Sequence, residues 1–230
     1  MYYGYGGLSG YIWILPALIF SLYASTKLRS AYSKYGQMRS NLGMTGEQVA
    51  KAVLRRNNIS DISVTRTSGT LTDHYDSRNK IIALSDAVYS GSSIASIAVA
   101  AHEAGHAVQL AEGYLPLQIR HTMVGITSIA TSASYLFIML GLFINETFAL
   151  VGIIMFGIIF IFQVVTLPVE YNASNRAVAE LVAIGADQQD EEASKKMLNA
   201  AALTYVAAMV TALLELLRVI AMFGNRRRRN

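Results

Sequence analysis

Two long apolar runs separated by three polar residues constrain the fold of this chain more than any other feature. The first run extends from Met123 to Ile144, the second from Phe148 to Leu167, and Asn145-Glu146-Thr147 lies between them. A helix of about 20 residues crosses the ~30 Å hydrocarbon core of a bilayer, because each residue adds about 1.5 Å. Each run is therefore predicted to be a transmembrane helix, and the short polar link predicts a helical hairpin over residues 123–167.

The composition agrees with a membrane protein of a single domain spanning residues 1–230. Hydrophobic residues make up 53% of the chain and charged residues 15%, whereas about a quarter of the residues in soluble domains are charged. The chain contains no cysteine, which excludes disulfides and thiolate metal sites, so any metal must be bound by His, Asp, Glu or water. No basic face interleaved with aromatic residues is present, and we expect no nucleic-acid partner.

The N-terminal apolar stretch, residues 8–24, is predicted to be an uncleaved membrane anchor. It carries no charge and is followed by basic residues, namely Lys27, Arg29, Lys34 and Arg39. A cleavable signal peptide has the opposite order, with the charge first. The positive-inside rule then places the N-terminus outside and residue 27 onward in the cytoplasm.

The C-terminal apolar stretch, residues 200–223, is long enough to cross a bilayer but contains Glu215 and Arg218, and Arg226 to Arg229 follow it. After the anchor and the hairpin, a further span would place these arginines outside, against the positive-inside rule. We therefore predict three spanning helices and a C-terminal helix in or near the cytoplasmic interface. Glu215 and Arg218 are three residues apart and are expected to pair on one helix face.

Residues 25–90 have the character of a soluble cytoplasmic segment. An amphipathic helix is predicted at residues 45–57, with Thr45 as its N-cap. Three strand patterns follow, at residues 62–64, 71–75 and 81–84. The last two are predicted to pair as a hairpin, which forms a small sheet beside the next helix.

That next helix, predicted over residues 92–112, contains the motif His102-Glu103-Ala104-Gly105-His106. Ser92 or Ser93 is expected to cap it. Side chains at i and i+4 share a face, so the two imidazoles can bind one metal ion. Glu103 can reach a water activated by that metal and accept its proton. The alternative is a buried helix whose two histidines are satisfied by other partners.

A catalytic zinc site uses three protein ligands, so the two histidines require a third ligand from elsewhere. The candidates are His121, Glu112, Glu170, Glu180, Asp187 and Glu191. Glu170 is best placed, because it follows directly after a hairpin that returns the chain close to the motif helix. Pro168 is expected to mark the start of the Glu170 helix, within a segment of residues 168–196.

Two segments, residues 101–109 and 168–177, resemble the corresponding motifs of the YugP-type bacterial membrane zinc metallopeptidases. The turn at residues 73–76 and Leu84-Ser85 are also similar, and the resemblance covers nearly the whole chain. More distantly, the arrangement is similar to gluzincin membrane proteases of the heat-shock HtpX and CAAX-processing kinds. The resemblance implies a mostly α, membrane-embedded fold with a small β-sheet beside the motif helix. It also implies a Zn²⁺ ion bound by His102, His106 and Glu170, with Glu103 as general base.

One position departs from the gluzincin pattern. Many gluzincins carry an Asp four residues after the ligand Glu, where it orients a ligand His, and this chain has Ser174 there. A hydroxyl can accept the same hydrogen bond but supplies no charge. Asp73 and Asp76 are alternative partners for a ligand His, although both also suit a polar hairpin turn.

Catalysis also requires a donor to the oxyanion of the tetrahedral intermediate. Arg176 is the first candidate and His74 the second, while a structural salt bridge is the other role open to Arg176. Residues 79–85 have the composition of an exposed edge strand, which would bind an extended substrate by main-chain pairing.

These features predict a zinc-dependent endopeptidase of the cell membrane, multi-pass, with its active site on or near the cytoplasmic face. Its expected partners are protein or peptide substrates and membrane lipid, and a regulatory membrane partner is left open. Two other classes compete with this prediction: a non-catalytic scaffold stabilised by a metal, and a metal transporter. The intact Glu103 argues against the scaffold, and the long soluble segment before the motif argues against the transporter.

Overall fold

The computed structural model describes residues 14–227, and the side chains up to residue 224. The first part of the predicted anchor and the side chains of the C-terminal arginine cluster lie outside these residues. The helices are α1 Ile14–Gly36, α2 Gly46–Arg56, α3 Asp86–Tyr89, α4 Ile94–Ala111, α5 Leu115–Phe143, α6 Glu146–Ala183 and α7 Gln188–Arg227. The strands are β1 Ser63–Thr67, β2 His74–Asp76 and β3 Ile81–Ser85. The fold is mostly helical with a small sheet, as predicted.

The chain divides into two compact units. Within the described residues, one comprises residues 14–25, 119–167 and 204–227, and the other comprises residues 26–118 and 168–203. Four helices, α1, α5, α6 and α7, contribute residues to both units. The unit that includes residues 119–167 is called the apolar unit, and the unit that includes residues 26–118 is called the catalytic-motif unit. Each has its own hydrophobic core.

The apolar unit contains the predicted helical hairpin, formed by α5 and the first part of α6. Gly141 lies so close to Ala149 that a Cβ at this glycine would be 2.5 Å from the Ala149 amide nitrogen. Large apolar side chains on the two helices point outward, and Phe143 is 79% exposed. Apolar groups exposed in this way match a lipid environment. The predicted hairpin is therefore confirmed as a pair of packed helices.

Three helices are long and apolar enough to cross a membrane, within the searched residues: Leu115–Phe143, Glu146–Ala183 and Gln188–Gly224. Three spanning helices were also predicted from the sequence, but the three found here are not the same three helices. They include the C-terminal helix, and the predicted anchor is only partly described. The location of α7 in or near the cytoplasmic interface, without crossing the bilayer, stays a prediction. The expected pairing on α7 is present, since Arg218 Nε lies 2.7 Å from Glu215 Oε2.

The predicted helix start at Pro168 is wrong, because α6 continues through this proline to Ala183. A proline in a helix interior costs about 3 kcal/mol. After it, a stripe spaced four residues apart is buried, formed by Val169, Ala173, Ala177 and Leu181. Burying one Val or Leu side chain contributes about 1.5–3 kcal/mol. Packing of this stripe therefore outweighs the proline and keeps the helix continuous.

The sheet has the strand order β1-β3-β2, with β3 parallel to β1 and antiparallel to β2. The predicted hairpin is confirmed by the pairing of Tyr75 with Ile82. The predicted exposed edge strand at residues 79–85 is wrong, because β3 is the central strand and is almost entirely buried. Its consecutive apolar residues must be covered on both faces, which a central strand provides.

The core of the catalytic-motif unit is built around α4, which packs against α2 and the sheet. Thr45 caps α2 in a capping box with Gln48, as the sequence predicts for this N-cap. Ser93 caps α4 by accepting a hydrogen bond from the amide of Ser96. All the alanines of α4 except Ala111 at its end are buried, and their small side chains allow other elements to approach this helix closely.

Candidate metal centre

The two motif histidines lie one turn apart on α4 and face the same side. Their rings meet edge to face with centroids 4.7 Å apart. His106 is buried, and the His102 side chain is only 13% exposed. Since α4 is buried along nearly its whole length, the two imidazoles lie in an interior site from which most water is excluded.

Glu170 reaches the two histidines from α6. Its Oε2 lies 3.2 Å from His102 Nε2 and 3.6 Å from His106 Nε2, and the residue is 2% exposed. The approach of α6 depends on Gly105, where a Cβ would lie 3.0 Å from the carbonyl oxygen of Ala173. A small residue between the two histidines thus allows the third side chain to join them.

The geometry of these three side chains fits a zinc ion. Their ligand atoms lie within 4.8 Å of one another. In a tetrahedral site with zinc–ligand distances near 2.0–2.1 Å, neighbouring ligand atoms are about 3.3 Å apart. The two distances to Glu170 lie close to this value. Two imidazoles and one carboxylate are also the ligand set of one known class of catalytic zinc site.

The electrostatics of the site favour positive charge. Burial alone would lower the pKa of His106, but the hydrogen bond and negative charge of Glu170, with a smaller contribution from Glu103, raise it above its ordinary value. Glu103 is itself 9% exposed and follows His102 directly on α4. Two carboxylates near the imidazoles thus create a potential that attracts a cation.

The Nδ1 atom of His102 lies 3.3 Å from the hydroxyl of Ser174. This is the contact expected of the residue that replaces the gluzincin Asp. The alternative partners, Asp73 and Asp76, are occupied in the hairpin: Asp73 accepts hydrogen bonds from Ser85, and Asp76 accepts them from the backbone of the following turn. Their role as polar turn residues is the one present in the structure.

Gln109 is a site residue that the sequence analysis missed. Its Oε1 lies 3.0 Å from His106 Nδ1, and the residue is fully buried. The available signal was its position three residues after His106, which puts both on one helix face. A polar side chain on an otherwise apolar stretch of α4 was a second indication.

The two predicted oxyanion donors lie in different surroundings. Arg176 donates to Asn172 Oδ1 at 2.7 Å and pairs with Glu112 at 2.5 Å, so the structural salt bridge expected as its other role is present. His74 is exposed and its Nδ1 lies 2.8 Å from the carbonyl oxygen of Thr72. A contact of either residue with an oxyanion stays a prediction.

The structure brings only Glu170 of the third-ligand candidates into the three-residue cluster, within the part of the chain it describes. Glu112 pairs with Arg176, Glu180 with Arg56, and Asp187 with Asn41. His121 and Glu191 belong to no group of three potential ligand side chains among residues 14–227.

Comparisons with known proteins identify the family to which the chain is similar. The model of a family described as "Putative neutral zinc metallopeptidase" matches residues 10–224. The chain is 40% identical over 218 residues to a Bacillus subtilis (strain 168) protein named "Putative membrane protease YugP". That alignment covers 94% of this chain and 97% of the relative. No solved structure matches the chain significantly. The resemblance inferred from the motifs is confirmed.

Proposed function

Because the chain belongs to the family of neutral zinc metallopeptidases, we propose that it is a zinc-dependent endopeptidase of the cell membrane, cleaving membrane proteins or unfolded segments. The observation that carries this proposal is the convergence of His102, His106 and Glu170, with Glu103 beside them on α4. Structural zinc sites use four protein ligands, whereas catalytic sites use three and leave one position for water. A cluster of three ligands next to a carboxylate supports catalysis.

The side chains have distinct roles in this proposal. His102, His106 and Glu170 would hold the ion, and zinc supplies Lewis-acid activation of water and of the peptide carbonyl when it is bound. Glu103 accepts the proton of the attacking water and passes it to the leaving amine. Its burial keeps this carboxylate away from competing bulk water, and the interior site does the same for the reacting groups.

We place the site at the cytoplasmic face of the membrane. The catalytic-motif unit contains the basic residues that follow the N-terminal apolar stretch, namely Lys27, Arg29, Lys34 and Arg39. It also contains all three proposed ligands. Because the positive-inside rule assigns those basic residues to the cytoplasm, the ligands are assigned there too.

The test is zinc quantification and cleavage of casein or a membrane peptide by the purified protein. Wild type should carry about one zinc per chain. Glu103→Gln should keep zinc and lose cleavage by about 100-fold or more, the scale of general-base catalysis. His102→Ala should lose most of the zinc. Glu192→Gln, which changes an exposed carboxylate of a surface ion pair, is the control and should retain both properties.

A second pair of variants tests the third ligand. Glu170→Ala should lose most of the zinc, whereas Glu180→Ala, on the same helix but paired with Arg56, should keep it. Zinc that is retained in both His102→Ala and Glu170→Ala would refute the site. Zinc-loaded wild type that cleaves neither substrate, or Glu103→Gln as active as wild type, would refute the peptidase mechanism.

A further inference from the structure

The side-chain amide of Gln109 joins the motif helix to α6. Its Oε1 faces His106 Nδ1 at 3.0 Å. Its Nε2 donates to the carbonyl oxygen of Val169 at 2.8 Å and to Asn172 Oδ1 at 2.9 Å. Both amide hydrogens are therefore used, and the oxygen is left for the imidazole.

This arrangement allows one orientation of the amide. If the amide were rotated by 180°, its oxygen would face the oxygens of Val169 and Asn172, and its NH₂ group would face His106. The amide oxygen would then face two other acceptor oxygens. The buried polar groups would lose their hydrogen-bond partners, at a cost of about 1–3 kcal/mol each. The two α6 oxygens thus determine that an acceptor faces His106.

An acceptor at Nδ1 selects the imidazole tautomer. A neutral His carries one proton, and a carbonyl oxygen at 3.0 Å favours that proton on Nδ1. The lone pair is then on Nε2, the nitrogen that faces Glu170. Metal binding by a neutral imidazole requires this lone pair, and a hydrogen bond at the other nitrogen sets which tautomer is present.

The orientation of Asn172 is determined in turn by Arg176. Asn172 Oδ1 accepts from Gln109 Nε2 and from Arg176 Nε, so two donors hold the oxygen in place. Arg176 also pairs with Glu112, the C-cap residue of α4. This hydrogen bond lowers the pKa of Glu112, which keeps the pair ionised at neutral pH. The chain of contacts thus begins and ends on α4.

We propose that Asn172 and Arg176 are positioning residues that, through Gln109, hold His106 in the tautomer and orientation required for zinc binding. This inference rests on the proposed zinc site but not on peptidase activity. It also predicts that the two histidine ligands are held in place unequally, because His102 has a single hydroxyl contact at Nδ1, from Ser174 at 3.3 Å. His106 is held by a connected set of four side chains, and His102 by one.

The discriminating variants change the acceptor at position 172. Asn172→Leu keeps the approximate shape and removes the oxygen, so Gln109 loses one of the two contacts that orient it. Asn172→Asp keeps an oxygen that accepts hydrogen bonds from both donors, and it should therefore preserve zinc affinity. Arg176→Met removes the outer donor at a side chain that is 26% exposed, so it should fold even if Asn172→Leu does not.

Two readouts are needed, and neither depends on cleavage. The first is zinc affinity, measured in detergent by competition with a chelating dye. Asn172→Leu should weaken it by about 10-fold or more, the scale of losing a contact behind a ligand. Arg176→Met should weaken it less, and Asn172→Asp should match wild type. The second is the Nδ1–H proton of His106 in the zinc-loaded, histidine-labelled protein, whose ¹H shift and rate of exchange with solvent report its hydrogen bond to Gln109.

Wild type and Asn172→Asp should show a downfield, slowly exchanging Nδ1–H signal for His106, whereas Asn172→Leu and Arg176→Met should show a signal that exchanges faster. The chain has four histidines, and His106→Gln assigns the signal. An unchanged Nδ1–H signal and unchanged zinc affinity in both Asn172→Leu and Arg176→Met would overturn the inference and leave the peptidase proposal intact. Loss of zinc affinity in Asn172→Asp equal to that in Asn172→Leu would also overturn it. Failure of wild type to cleave peptides would refute the peptidase proposal and would leave this inference standing.

Discussion

Replacement of Gly105 by alanine should damage the metal centre more than the fold. Gly105 lies between the two motif histidines, and a Cβ there would be 3.0 Å from the Ala173 carbonyl oxygen and 3.6 Å from the Ala173 Cα. These neighbours are backbone atoms of α6, so no side-chain rotation can relieve the contact. The two helices must separate by a few tenths of an ångström. Glu170, three residues before Ala173, would move with α6.

Two opposing effects determine the stability of Gly105→Ala. Alanine is favoured over glycine in a helix interior by about 1 kcal/mol. Overpacking a well-packed core costs about 1–3 kcal/mol. The net loss of stability should therefore be about 0–2 kcal/mol. Zinc binding lacks the compensating term, and a shift of a few tenths of an ångström takes up a large part of the ~0.5 Å within which ligand constellations must be held. We expect zinc affinity to fall by about 10-fold.

The assay combines chelator competition for zinc with thermal unfolding. Gly125→Ala is the matched control, since it makes the same change inside helix α5 at a position with nothing within 4 Å. It should leave zinc affinity unchanged and should not lower the unfolding temperature. Wild-type zinc affinity in Gly105→Ala would refute the reasoning that close helix approach sets the position of Glu170.

Ser174→Ala should loosen zinc by about 10-fold and Ser174→Asp should retain or tighten it, measured by the same competition; no change in either variant would make Ser174 a packing residue only. Removing zinc with a chelator should lower the unfolding temperature by several degrees, since a ligand at 1,000 times its Kd contributes about 4 kcal/mol; an unchanged temperature would contradict a metal bound by the folded state. In this cysteine-free chain, a single cysteine at position 225 should resist an impermeant thiol reagent in intact cells and react after lysis, whereas one at position 4 should react from outside. Labelling of position 225 in intact cells would establish that α7 crosses the membrane.

Several features were predictable from sequence because each depends on residues within one element. Ser93 caps α4 and Thr45 caps α2 through hydrogen bonds that span three residues. The helical face shared by His102 and His106 follows from the i, i+4 spacing alone. The helical hairpin follows from the length and apolar character of its two runs. The choice of Glu170 joined elements far apart in the chain, and it required the additional premise that the hairpin returns the chain to the motif helix.

The wrong predictions concern properties that no single element determines. Within residues 79–85 a run of consecutive apolar residues forms strand β3, but its place at the centre of the sheet depends on β1, which pairs with β3 from a segment earlier in the chain. Pro168 is a helix breaker by local rules, yet the buried stripe after it favours a continuous helix through contacts with the core. For the proline, packing energy from distant residues exceeds the local preference, and for the strand, pairing with a distant segment sets its position in the sheet.

The sequence by itself determined the face of α4 shared by His102 and His106, the caps and the apolar helices, because periodicity and hydrogen bonding within a few residues are sufficient for them. The tertiary structure alone decided how the ligands are supported. The contacts by which Gln109, Asn172 and Arg176 support His106 form only when α4 and α6 pack together and their donors and acceptors meet. That packing depends on the absence of a side chain at Gly105. Hydrogen bonds form over about 3 Å, so residues some sixty positions apart become partners only when the fold brings their helices into contact.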